Sequence, residues 1–168
     1  MSANLDLVRS IYADWERGDF SRADWAHPQI EYVRADGPDP GTWTGLARMA
    51  EAARSYLAAW DDFRFVVDEY RELDEERVLV LGHYMGRGKR SGVELGQITR
   101  KMAAVLYIKD ARVRRLVNYS DRDRALADLG LEGIEDAGGV LSNRTGRAGA
   151  TARALGRFPL GWASPPTG

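Results

Sequence analysis

The chain contains no cysteine, which removes disulfides, thiolate nucleophiles and cysteine metal sites. Its two histidines, His27 and His83, are too few for a histidine-rich zinc site, and nothing calls for a metal or another cofactor. An excess of charge of one sign is missing as well. The 24 basic and 25 acidic side chains leave a formal net charge of −1, without the basic surplus that nucleic acid requires. The dense basic run, Arg87-Gly88-Lys89-Arg90, reads as a solvated hairpin tip. No apolar run approaches the ~18 residues of a membrane span, and Met1 to Asp6 shows neither a basic n-region nor an apolar h-region. The expectation is a cytoplasmic protein without nucleic-acid or membrane partners.

What is present suits one globular domain. The chain has 168 residues, 44% of them hydrophobic, within reach of the ~100–150 residues of a common domain plus a tail. The composition divides it into a domain over 1–130 and a tail over 131–168 that is rich in Gly, Ala, Arg and Pro. Sparse large apolar residues without a period cannot offset the entropy of ordering, so a flexible tail is expected. Its patch of Leu155, Phe158, Leu160 and Trp162 is the part able to dock.

Along the domain, Leu5, Val8, Ile11, Tyr12 and Trp15 recur at helical spacing, with Asn4 placed to cap the helix and Gly18 to end it. Ser21 and Asp24 suggest a second short helix that Pro28 ends, and Ile30 to Arg34 reads as a strand. The loop Asp36-Gly37-Pro38-Asp39-Pro40-Gly41 follows, then a helix capped by Thr44 with Leu46, Met49, Ala53, Tyr56, Leu57 and Trp60 on one face. Strands are predicted over Phe63–Leu73, Val78–Met85, Ile98–Ile108 and Val113–Tyr119. The middle two are apolar throughout, as if buried on both faces. Lys109-Asp110-Ala111-Arg112 makes a tight turn, and Asp121 caps a final helix over Arg122–Leu129. The outcome is α+β, with helices on one side of an antiparallel sheet.

The hairpin from Ser91 to Asp121, the N-terminal stretch Leu7 to Phe20 and the segment Ala26-His27-Pro28-Gln29-Ile30-Glu31-Tyr32 together resemble the SnoaL-like branch of the nuclear transport factor 2-like superfamily. The likeness covers Asn4 to Leu131, with Asp110-Ala111 standing where the pattern usually has Asp-Gly. It implies a curved sheet wrapped on helices as a cone (a cystatin-like shape) around one apolar pocket. It also implies that alternate strand residues line that pocket. The superfamily includes isomerases, epoxide hydrolases, polyketide cyclases and plain binding modules, so the resemblance fixes fold more firmly than activity.

The acid–base sets of the enzymes are not matched. Aligned with the epoxide hydrolases, Asn118 stands where their last strand carries a catalytic aspartate, and Gly82 and Tyr84 stand where a neighbouring strand carries an arginine and a second aspartate. Aligned with ketosteroid isomerases, the needed tyrosine and two aspartates fall near Ile11, on Ala103 or Ala104, and among Tyr32, Val33 and Arg34. The expected ligand-binding set is Tyr32, Arg34, Tyr84, Arg100, Asn118 and Trp15, suited to a carbonyl, carboxylate or phenolate oxygen on an apolar body. Register leaves His83 or Tyr84, and Thr99 or Arg100, as the pocket-facing member of each pair. His83 and Asp36 are the candidate catalytic groups, although no acid partner for His83 is evident in the sequence.

The leading expectation is a small-molecule-binding cone without an assignable catalytic apparatus. The alternatives are an enzyme of the cyclase, isomerase or epoxide hydrolase type acting through His83 or Asp36, and a dimeric structural module. A homodimer is expected through the outer sheet face, where Arg115, Val117 and Tyr119 would lie and where apolar strands need cover.

Overall fold

The computed structural model describes residues 2–88 and 98–131. The tail with its apolar patch, and Lys89 and Arg90 of the basic run, lie outside the described residues.

Helix α1 (Ala3–Glu16) starts earlier than the sequence suggests, because Ser2 is the cap and accepts from the Leu5 amide at 3.1 Å. Asn4 is instead inside the first turn, where its Nδ2 donates to the Glu75 carbonyl at 2.8 Å. Gly18 ends the helix with φ +78. The expected short helix at Ser21–Asp24 does not form. The Asp19 carboxylate accepts from the Ser21 amide at 3.0 Å and its hydroxyl at 2.6 Å, so local side-chain bonds supply a turn where helix bonds would have been.

Strand β1 (Ala26–Arg34) begins at Ala26 rather than Ile30 and carries Pro28 within it. An unanticipated strand, β2 (Gly41–Thr44), lies at the sheet edge and pairs antiparallel with β1. Helix α2 (Leu46–Ala58) is preceded by Gly45 at φ +93 rather than capped by Thr44, and Trp60 opens the next strand instead of extending the helix face. Strands β3 (Trp60–Glu72), β4 (Arg77–Gly88), β5 (Ile98–Lys109) and β6 (Arg112–Tyr119) form the expected meander. Its last turn places Asp110 at φ +53 and Ala111 at φ +59, the left-handed pair a two-residue hairpin loop needs. Helix α3 (Arg122–Asp128) is capped as expected by Asp121, which accepts from the amides of Asp123 and Arg124.

The six strands form one curved sheet in the order β2-β1-β6-β5-β4-β3. It is mixed rather than wholly antiparallel, because β1 runs parallel to β6 and pairs Tyr32 with Leu116 and Arg34 with Asn118. That pairing cannot be read from either strand alone. It brings the two strands with the most polar concave-face residues side by side.

The helices occupy both sides of the sheet, not one. Helices α1 and α2 cover the concave face, where Val78, Val80, Ala104, Leu106 and Leu116 join Val8, Ile11 and Met49 in the main core. On the outer face Ala125 and Leu126 of α3 pack with Leu79, Leu81, Ala103, Val105, Val117 and Tyr119. This second layer accounts for the uninterrupted apolar runs of β4 and β5. It also removes the reason for a dimer centred on Val117, which is only 6% exposed within its own chain. Among the described residues no helix is long and apolar enough to cross a membrane.

Candidate functional site

A cavity of about 160 Å³ lies between the concave sheet face and α1 and α2. Each element delivers a side chain to it for a periodic reason. Tyr12 and Trp15 come from the buried face of α1, and Met49, Ala53, Tyr56 and Leu57 from α2. Alternation sends Tyr32 and Arg34 of β1, Phe63 and Phe65 of β3, Tyr84 of β4 and Leu116 and Asn118 of β6 to the same side.

The walls are mainly aromatic. At one end Tyr12 meets Trp15 edge-on at 4.9 Å and Phe65 at 5.6 Å, and Trp15 meets Trp25 at 5.5 Å. At the other end Phe63 stacks on Tyr84 at 5.9 Å, and Tyr56 stands edge-on to Phe63 at 6.0 Å. Rings packed in this way hold a space open where flexible aliphatic side chains would fill it.

The polar groups gather toward β1 and β6. Asn118 donates from Nδ2 to the Tyr32 hydroxyl at 3.3 Å. Arg34 is 8% exposed and lines the cavity, with its guanidinium carbon 4.7 Å from the ring centre of Trp43, 5.1 Å from Tyr56 and 5.8 Å from Tyr32. Its Nη2 donates to the Ala52 carbonyl, and its Nη1 lies 3.4 Å from the Asp39 carboxylate. Its buried Nε has no hydrogen-bond partner. Burial, as the largest cause, pushes the hydroxyls of Tyr12, Tyr56 and Tyr84 above the ordinary tyrosine range. They are therefore neutral at pH 7 and serve as hydrogen-bonding groups rather than bases.

Of the sequence candidates, Tyr32, Arg34, Tyr84, Asn118 and Trp15 reach the cavity. Arg100 pairs with Tyr84 across β4 and β5 and so shares its face, but it is exposed and does not line the cavity. Register resolves the first ambiguity in favour of Tyr84, which puts His83 on the outer face. There His83 does have an acid partner, against expectation: Nδ1 lies 3.1 Å from Asp68, which also binds Nη2 of Arg122 at 3.0 Å. A bulge in β3 between Val67 and Glu69 intervenes in the pairing at Asp68, a local irregularity that alternation does not announce. Asp36 is engaged elsewhere, since its carboxylate accepts from the Ser120 amide at 2.6 Å and the Asp121 amide at 3.2 Å, fastening the β1–β2 loop to the start of α3. Neither catalytic candidate lines the cavity.

Gly82 explains part of the missing acid–base set. A Cβ built there would come 2.5 Å from the Val66 carbonyl oxygen, so the position where the resemblance expects an arginine cannot carry a side chain unless β3 moves. Sequence reasoning missed Ser120, which lines the cavity, and did not assign Trp43 to Arg34. Trp43 stacks on Arg34 from the unanticipated strand β2, and its only signal was an aromatic residue between two threonines.

No family model matches the chain, and no curated protein matches it. Solved structures do. TerC, co-crystallised with polyporic acid, is 21% identical over 77% of this chain and 98% of its own, with a TM-score of 0.61. A nuclear transport factor 2-like protein of unknown function from Burkholderia pseudomallei is 22% identical over 76% and 97%, with a TM-score of 0.63. A proposed SnoaL-like polyketide cyclase from Jannaschia sp. is 15% identical over 69% and 83%, with a TM-score of 0.52. The element order, the curved sheet and these superpositions together give the chain the nuclear transport factor 2-like fold, which it shares with SnoaL-like proteins.

Proposed function

We propose that the protein binds a small, flat, mostly apolar molecule bearing at least one oxygen, in the manner of a SnoaL-like binding cone. The observation that carries this is the pairing of rigid aromatic walls with a few convergent polar groups, Tyr32, Arg34, Tyr84 and Asn118. The co-crystallisation of TerC, which has the same fold, with polyporic acid supports a small-molecule reading. Native mass spectrometry of the purified protein tests it: a retained aromatic molecule, displaced on denaturation, is the expected result. Repeated failure of the cavity to take up any aromatic compound would overturn it.

Binding is favoured over catalysis because, among the described residues, no carboxylate or imidazole lines the cavity. Asn118→Asp is the corresponding test. It supplies an acid at the hydrolase-like position, yet Gly82 and Tyr84 leave that acid without the arginine and second aspartate of the hydrolase set, so no epoxide hydrolysis is expected to appear.

We also propose that copies of the chain associate through the outer sheet face, but at its rim rather than its buried centre. Arg115 is exposed there, over the Tyr107 ring at 5.6 Å. Arg115→Glu is expected to shift the mass seen by light scattering from dimer to monomer, and a monomeric parent protein would sink the idea.

A further inference from the structure

We infer that the molecule this cavity takes is an anion and that Arg34 selects for its charge. The inference rests on the binding reading above and narrows it to a chemical class: an aromatic compound carrying a carboxylate or an ionised enol or phenol.

The state of Arg34 carries the argument. A guanidinium has five N–H donors and cannot shed its charge, so burying one is costly unless its donors and its charge are both matched. Here they are not. Among the described residues the charge is opposed by Asp39 alone, at 3.4 Å, through a carboxylate that is 72% exposed on the β1–β2 loop and screened by water. Arg34 lines the cavity, and its Nε is buried without a hydrogen-bond partner. The faces of Trp43, Tyr56 and Tyr32 attract the cation and restrain the plane of the group, but none of these rings accepts an N–H lying in that plane. The edge of the guanidinium is therefore what the surrounding groups leave unmatched.

No carboxylate lines the cavity among the described residues, so its interior has one formal positive charge within apolar walls. An anionic oxygen in the cavity supplies both a counter-charge and an acceptor for the Arg34 guanidinium, and charge-assisted bonds of this kind are about twice as strong as neutral ones. A neutral amide or ketone supplies only the acceptor. Asp39 then serves as the counter-ion of the empty protein, with which the ligand's anion competes. The cavity is close in size to the ~150 Å³ engineered apolar cavity that admits benzene, which puts one- and two-ring compounds in range.

The test compares isosteric pairs on the full-length chain by titration calorimetry at neutral pH: benzoate with benzamide, and 2-naphthoate with 2-naphthamide. Within a pair the carboxylate is expected to bind at least about tenfold more tightly. Arg34→Met is expected to bring that ratio near unity. Asp39→Asn, a surface change, is expected to tighten carboxylate binding several-fold while leaving the amide unchanged, and this arm stands even if Arg34→Met folds poorly. Equal affinities within each pair would overturn the inference and leave the binding reading intact. No binding by any of the four compounds would overturn both.

Discussion

Arg34 and Arg122 are the two charged side chains buried among the described residues, each 8% exposed, and they lie on different layers of one sheet. Arg122 is satisfied by its surroundings. It donates to the carbonyls of Gly82 and Met102 and pairs with Asp68 at 3.0 Å, thereby tying α3 to three strands. Arg34 binds one carbonyl and reaches one solvated carboxylate, with Nε left over. Equal burial thus conceals unequal roles. A guanidinium whose donors are taken up by backbone and carboxylate is a structural clamp, whereas one left incomplete on a residue that lines a cavity has capacity for something the described residues do not supply.

Removing each arginine is the direct way to break this comparison. Arg122→Met should cost the most, about 2–4 kcal/mol in denaturant unfolding, since it strands two carbonyls and frees Asp68. Aromatic ligand binding by the folded fraction should be unchanged, and a loss of binding without a loss of stability would reverse the assignment. Gly82→Ala should follow at about 1–3 kcal/mol, because the added methyl meets the Val66 carbonyl on the sheet that carries both arginines. Arg34→Met should cost about 1 kcal/mol or less, because the lost bond to Ala52 is offset by removing an unmatched buried donor. Stability as sensitive as that of Arg122→Met would make the two arginines equivalent after all. Asn118→Leu sharpens the cavity side alone: aromatic-ligand affinity should fall several-fold, to about the worth of one hydrogen bond of 0.5–1.5 kcal/mol, with unfolding little altered. The smallest effect belongs to a control that touches neither arginine. Ala111→Gly relieves a left-handed residue at φ +59 and should raise stability by about 0.5–1 kcal/mol with no change in binding.

The sequence made the meander and the long helices legible because each rests on a period within a single segment. The apolar stripe of α1, the runs of β4 and β5 and the cap Asp121 are local facts, and all reappear in the structure. What was illegible depends on partners distant along the chain. Arg34 was legible as a candidate for the pocket, but its burial was not, because Trp43 and Tyr56, which cover it, arrive from β2 and α2. His83 lacked an acid until the β3–β4 pairing, with its bulge, set Asp68 beside it. The errors at helix starts have a different source. Ser2 and Asn4 are both competent caps, and the choice between them follows from where Glu75 offers a carbonyl to Asn4.

The parallel pairing of β1 with β6 also bears on the order in which the molecule assembles. Strands β3 to β6 are successive neighbours, so their contacts close short loops and can form early. The bond from Asn118 to Tyr32 joins residues 86 apart, and that from Ser120 to Asp36 joins residues 84 apart. Such closures bear the full loop entropy before any contact offsets it, which predicts that the β1–β2 unit docks late in folding. The same unit carries Tyr32, Arg34 and Trp43, so the polar end of the cavity comes into being only when that step completes. Undocking β1–β2 while the meander persists then gives a molecule that keeps most of its sheet and has no site, and the amides of β1 should exchange with solvent before those of β4 and β5.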